Sequence, residues 1–533
     1  MGEVYTLLRF ETDFDKLFVW PVDQCVAGHI SLNDATRKNQ VKYLKRYVKR
    51  LGADWILVEN DYIDRDFLTD FAAYYVSCFT PYSRRCRRAH FFRCNLSELA
   101  SPGALQKRIV EWDHDWIRLM EDNYLGFVVL RPLPDAVLGK VVLKTWDCDS
   151  GKRIFSATRS YDVNLFGLPL EIESSLAAQE QDTVLAACAT SALWSAFHQL
   201  ATEHHLYVPT PAEITKSATR YLQTERPIPT TGLIVEQICN AILEAGLTPE
   251  VYNVNENTSL NSLMYAYVAG GIPVLLGYRP PNTDEYHAVT VCGYRLEDRA
   301  VFNREAIDSL KDYVSVGRRI SEFYVHDDNL GPFSRLECQN IESQYSDGTP
   351  LNPRAFLRHH DYDEQRPPDQ FIPSLTIVPV YHKIRIRFSA VQRVVFIVDT
   401  YFKKIEVKLA EDGTEWNAEW DVRLSTLKKF RNWIRKNEKI AHSDKCQLIS
   451  QPMPKYLWLA TASVDSKPAF TMCLDATDME RSFFISHLVS HNPALVQRVR
   501  SAMNAHDSKL MLAQSTELPY SFCEFLKRTF VDG

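Results

Sequence analysis

QEQDTVLAACATSALWSAFHQL, residues 179–200, places a thiol at the start of an apolar helix. Two glutamines and an aspartate lead in. From Cys188 onward Ala, Leu, Trp and Phe follow with almost no charge, the pattern of a helix buried on all sides. A buried cysteine is ordinarily a small hydrophobe. A helix N-terminus, however, also favours a thiolate, because its first N–H groups lack intrahelical acceptors and carry partial positive charge. Deciding between these uses needs the rest of a nucleophile's equipment: a base, a group that orients the base, and donors for an oxyanion.

The residues that meet those needs lie downstream and just upstream. In GGIPVLLGYRPPNTDEYHAVTVCGYRLED, His287 opens the strand AVTVCGY after a turn-rich loop, a place from which an imidazole can face a helix in another layer. In EFYVHDDNLGPF, Asp327 ends the next strand. Strand alternation puts Phe323, Val325 and Asp327 on one face and Tyr324, His326 and Asp328 on the other, so Asp327 rather than Asp328 is expected to orient His287. Upstream, Gln181 rather than Gln179 is expected to donate its amide to an oxyanion beside the Cys188 N–H. Asp182 is expected to cap the central helix or the turn leading to it.

Taken in order, Gln181, Cys188, His287 and Asp327 resemble the papain-like cysteine peptidases, and most of all the branch that removes double-glycine leaders from bacteriocins. GIPVLLGY, HAVTVCGY and YVHDDNLG stand where that branch has its G-x-P-V strand, its H-x-V-x-V-x-G-Y strand and its V-x-D-P turn. The helical insert TPAEITKSATRYL and TTGLIVEQICNAILEAGL is also similar. The likeness covers roughly residues 165–335. The chain departs from the pattern at Ala187 and Ala189, where glycine adjoins the thiol in the family, at Asp328, which replaces the proline, and in a glutamine set further upstream. The resemblance implies an α+β fold, with a nucleophile helix on an antiparallel sheet, and a Cys188–His287–Asp327 triad with Gln181 as oxyanion donor.

The remaining sequence bounds this reading. At roughly 100–200 residues per domain, 533 residues suggest three: a mixed α/β region 1–165, the peptidase-like region 166–345, and an α+β region 346–533. Ser31 to Leu51 reads as one capped helix stopped by Gly52. The segment 339–373, rich in Pro, Asp and Gln, reads as a linker or an ordered excursion. A net charge of −6 argues against a nucleic-acid partner. Twelve cysteines without a CxxC pair, no N-terminal apolar signal and no long apolar run suggest a reduced, cytoplasmic, soluble protein. YSRRCRRAHFF reads as a solvated helix end. Cys78, Cys86, Cys94 and His90 match no zinc module, and His359, His360 and Asp361 read as a solvated loop. Asp475 and Asp478 read as turn residues, and Cys292 as core. No metal or cofactor is expected. The resulting expectation is an intracellular bacterial cysteine protease of regulatory, toxin-like or defence character, acting on a protein or peptide. Its flanking regions would select the substrate or hold a protein partner. A deamidase or acyltransferase with the same triad, or an inactive binding module on the same fold, are the alternatives.

Overall fold

The structure, a computed structural model, describes residues 4–24, 31–133, 136–182, 187–221, 232–254, 259–280, 285–298, 313–341, 354–360, 369–405, 407, 416–438, 440–464, 466–479 and 485–505. It is mixed α+β, with mostly antiparallel sheets. The chain divides into two units. The first takes residues 1–254, 272–295 and 322–379, and the second takes 255–271, 296–321 and 380–533. The boundary expected at 165 coincides with the last residue of a strand within the first unit, and the one near 345 lies outside the described residues.

The first unit opens with an antiparallel sheet in chain order: β1 (Tyr5–Arg9), β2 (Trp55–Tyr62), β3 (Cys86–Phe92), β4 (Tyr124–Leu130) and β5 (Leu138–Leu143). The helix expected over residues 31–51 is two. Ser31 and Asp34 form a capping box for Leu32–Arg37, then Lys38 takes an extended backbone and a second helix runs Asn39–Arg50. The run around Arg88 is strand β3 rather than a solvated helix end. Arg88 is buried against Glu59 at 2.6 Å, and its guanidinium lies over the Tyr62 and Phe127 rings. Stacking on aromatic faces and a carboxylate partner offset the cost of burying it.

The second sheet of this unit is a ring. β6 (Arg153–Ile154) pairs with β11, and the hairpin β7 (Arg159–Leu165) and β8 (Leu168–Ser175) stands apart. β9 (Leu247–Asn253), β10 (Val274–Arg279) and β11 (His287–Leu296) are followed by β12 (Val314–Ser315), which belongs to a different sheet. β13 (Ile320–Asp327), β14 (Gly331–Ile341), β15 (Arg354–His360) and β16 (Asp369–Tyr381) complete the set. Neighbours run β10–β11–β13–β14–β15–β16, and β16 returns to pair with β10, so the edges of the ring satisfy each other. Of the segment expected as a linker or an ordered excursion, the described residues are strand: β14 runs to Ile341, and β15 contains His359 and His360. Asp361 lies outside the described residues.

The central helix, Cys188–His204, buries every residue from Ala189 to Ala201. It packs on β10 and β11, and Thr290 of β11 donates its hydroxyl to the Ala192 carbonyl at 2.6 Å. That bond fixes the helix against the strand that begins with His287.

In the second unit, β12 pairs parallel to β17 (Glu419–Thr426), followed antiparallel by β18 (Tyr456–Val464), β19 (Lys467–Asp475) and β20 (Ile485–Ser490). Helix Leu427–Lys436 sets Phe430 and Ile434 against Leu457, Leu459 and Cys473. In helix Phe388–Lys404 the buried Asp399 accepts the indole N–H groups of Trp416 and Trp420 at 2.8 and 2.9 Å. Asp475 closes a turn, accepting from the Thr477 N–H and hydroxyl, each at 2.7 Å.

Candidate active site

Cys188 is the first residue of the central helix, preceded by Ala187 with an extended backbone and no side-chain cap. Asp182 does not cap the central helix and accepts the Tyr75 hydroxyl at 3.1 Å; the turn leading to the helix lies outside the described residues. Small residues on both sides of the thiol, Ala187 and Ala189, keep the helix start narrow. Cys188 itself is half-buried. His287, 17% exposed at the side chain, begins β11, and the nearby Cys188 thiol favours the charged imidazole. Its Nε2 lies 3.0 Å from Oδ1 of Asp327 and 3.4 Å from Oδ1 of Asp328. With Nε2 facing carboxylates, Nδ1 is the nitrogen left for the thiol. Exposure is graded accordingly: the thiol and imidazole are partly open, whereas the carboxylates are 4% and 2% exposed.

Both aspartates reach the imidazole because the strand is irregular at its end. The pairing of β13 with β14 shifts register between Val325 and Asp327. All residues from Phe323 to Asp328 are buried, so alternation does not separate an inner face from an outer one. Asp327 has further partners. Tyr278, opposite His287 across the β10–β11 pair, donates its hydroxyl to Oδ2 at 3.2 Å, and the Asn329 N–H donates to Oδ1 at 2.8 Å. Asp328 is less well provided for. Among the described residues its oxygens accept no well-aligned hydrogen bond, and the Asp328 and Asn329 N–H groups help only weakly.

Electrostatics follow from this packing. Burial works against the charged form of His287, but the charge and hydrogen bond of Asp327, the nearby Cys188 thiol and the charge of Asp328 outweigh it. The imidazole therefore holds its proton well above the ordinary histidine range. Burial raises the Asp328 carboxyl, His287 attracts it down, Asp327 repels it up, and the balance is about 7. Burial and then Asp327 push the Tyr278 phenol well above its usual value, so it stays a neutral donor. His326, between the two strands' ends, is pushed down to about 3 by burial and stays neutral.

Gln181 is half-buried and donates its amide to Oδ1 of Asn329 at 3.4 Å, at the turn that follows the two aspartates. Gln179 is buried, with its amide nitrogen unpaired. Residues 183–186, which join Gln181 to the helix, lie outside the described residues.

Residues far away in sequence hold both borders of this site. Lys38 donates to Glu180 at 3.2 Å, and Arg131 and the Leu138 N–H bind the same residue at 2.9 and 3.0 Å. Gln40, two residues after Lys38, donates to the Asp328 carbonyl at 3.2 Å, and Tyr43 donates to the Pro332 carbonyl at 2.8 Å. Sequence reading assigned none of these a role, and no local signal marks a contact spanning such separations. Asp328 was legible as the second half of an Asp-Asp doublet.

His287, Asp327 and Asp328 also form, among the described residues, a set whose ligand atoms all lie within 4.8 Å of one another. A cation there would replace the imidazole–carboxylate hydrogen bond. No protein-family model matches the chain, and comparison with curated proteins gives no match either. Among the described residues no helix is long and apolar enough to cross a membrane.

Proposed function

We propose that the chain is a papain-like cysteine hydrolase, with peptide bonds as its substrates, and that Cys188 is its nucleophile. One observation carries this reading: a thiol at a helix start lies beside an imidazole that a buried carboxylate holds through Nε2. That is the arrangement nucleophilic acyl transfer needs.

The reaction divides into two halves. Sulfur bonds to the carbonyl carbon while the proton it has given up rests on His287, and the carbonyl electrons move onto oxygen. The Cys188 N–H and the Gln181 amide receive that oxyanion. The oxyanion collapses, the C–N bond breaks, and His287 returns the proton to the leaving amine. A water, deprotonated by His287, then attacks the thioester. The C–S bond breaks, and His287 gives the proton back to sulfur. Asp327 keeps the imidazole aligned and stabilises its charged form. A side-chain amide or an acyl acceptor other than water would use the same groups. An intracellular bacterial role, regulatory, toxin-like or defensive, is part of the proposal.

The test combines reactivity with products. Iodoacetamide should label Cys188 faster at neutral pH than the exposed Cys148 and Cys446, because a thiolate paired with an imidazolium is the reactive form. Expression of the wild type, but not of Cys188→Ala, should generate new protein N-termini. Slow labelling together with no new termini would leave a binding module on this fold as the better account.

A further inference from the structure

His287 has two carboxylates where one would orient it. Asp328 approaches Nε2 at 3.4 Å and is as deeply buried as Asp327. Among the described residues its carboxylate accepts no well-aligned hydrogen bond. The turn is held through the Asp328 main-chain carbonyl, which accepts from Gln40, and not through the side chain. Burying a carboxylate with so few donors is unfavourable, so an amide or a small residue would be the stable choice for architecture alone.

We propose that Asp328 is a second positioning residue, forming with Asp327 a two-carboxylate clamp on Nε2 of His287. The proposal rests on the reading of Cys188 and His287 as nucleophile and base.

Among the described residues four groups face the imidazole: Cys188 from the central helix, Tyr278 from β10, and Asp327 and Asp328 from the end of β13. Tyr278 and the neighbouring His326 stay neutral, for the reasons given above. Asp328 therefore sets a second buried carboxyl 3.4 Å from Nε2, beside the one at 3.0 Å. A nearby opposite charge raises a histidine's proton affinity by roughly one to three pH units. The second carboxylate thus strengthens the imidazolium in the pH range where it would otherwise be lost.

The probe is iodoacetate. Its negative charge draws it to a thiolate beside an imidazolium, so its reaction with Cys188 falls off as His287 deprotonates. Rates are followed on the Cys188 peptide by mass spectrometry, with Cys188→Ala as the blank. Asp328→Asn and Asp328→Ser should move the alkaline limb of the profile down by about one pH unit or more. Asp328→Glu, which keeps the charge, should leave the limb close to the wild-type position. Asp327→Asn should move the limb and also slow labelling throughout. A purely architectural Asp328 would change the melting temperature and leave the limb in place, so superimposable limbs in the wild type, Asp328→Asn and Asp328→Ser would overturn the clamp. Absence of any alkaline limb in the wild type would instead count against the nucleophile–base reading itself.

Discussion

Tyr43 and Gly331 approach so closely that no side chain fits between them. A Cβ on Gly331 would lie 2.4 Å from Cδ1 of the Tyr43 ring. Gly331 opens β14 directly after the turn that carries Asp327 and Asp328, and Tyr43 binds the next carbonyl along, that of Pro332. Helix Asn39–Arg50 therefore fixes the height of the acid turn through a contact that tolerates only glycine. Gly331→Ala should force the ring or the turn to shift, at about 1–3 kcal/mol for overpacking. The melting temperature should fall and Cys188 labelling should slow. Adding Tyr43→Ala makes room for the new methyl group and should recover labelling in part. Wild-type stability in Gly331→Ala would show that the turn is not held from this side.

Cys188→Ala should abolish turnover while changing stability by no more than about 0.5 kcal/mol. Alanine suits a helix position, and the sulfur is half-buried rather than packed in the core. His287→Ala should be both inactive and less stable, because it leaves the buried pair Asp327 and Asp328 facing each other without a cation. Thermal melts alongside product assays separate the two effects. Residual turnover in Cys188→Ala would remove the thiol from the mechanism.

The two glutamines should behave differently. Gln181 reaches the turn beside the aspartates, so its loss should lower turnover by about 100- to 1,000-fold, the usual cost of one oxyanion donor. Gln179 is buried with its amide nitrogen unpaired, and Gln179→Ala should leave the rate nearly unchanged. The opposite ranking in kcat would transfer the donor role to Gln179.

What the sequence made legible was local. The apolar run after Cys188 is the central helix, and the strand opened by His287 lies where alternation and the preceding turn put it. Alternation puts Asp328 on the face away from His287, whereas it lies 3.4 Å from Nε2, because alternation assumes a regular ladder with one buried face. The β13–β14 register shifts just before Asp327, and both faces there are buried. The extended Lys38 inside the first helical stretch was equally hidden. Its cause is a capping box that sets one helix start, together with a tertiary tie to Glu180 that no window of sequence contains. The polar segment between 339 and 373 looked like a linker because its composition is that of turns, yet strands there pair around a ring that only the folded chain closes.

Zinc should inhibit rather than activate. His287, Asp327 and Asp328 bring a nitrogen and carboxylate oxygens within 4.8 Å of one another, close enough to converge on one ion. Zinc binds such ligands at about 2.0–2.2 Å and requires a neutral imidazole nitrogen. Binding at Nε2 must expel the proton shared with Asp327, and with it the bond that orients the base. EDTA should therefore leave Cys188 labelling unchanged, whereas added Zn²⁺ should slow it reversibly. Because metal and proton compete for the same nitrogen and carboxylates, the inhibition should deepen as pH rises. Zinc can also bind the Cys188 thiolate directly, and Asp328→Asn separates the two modes. That variant keeps the thiol but loses one charged ligand, so a weaker zinc effect assigns the ion to the carboxylate side. Loss of labelling in EDTA, restored by metal, would contradict the metal-free mechanism and make the His287–Asp327–Asp328 set a metal centre.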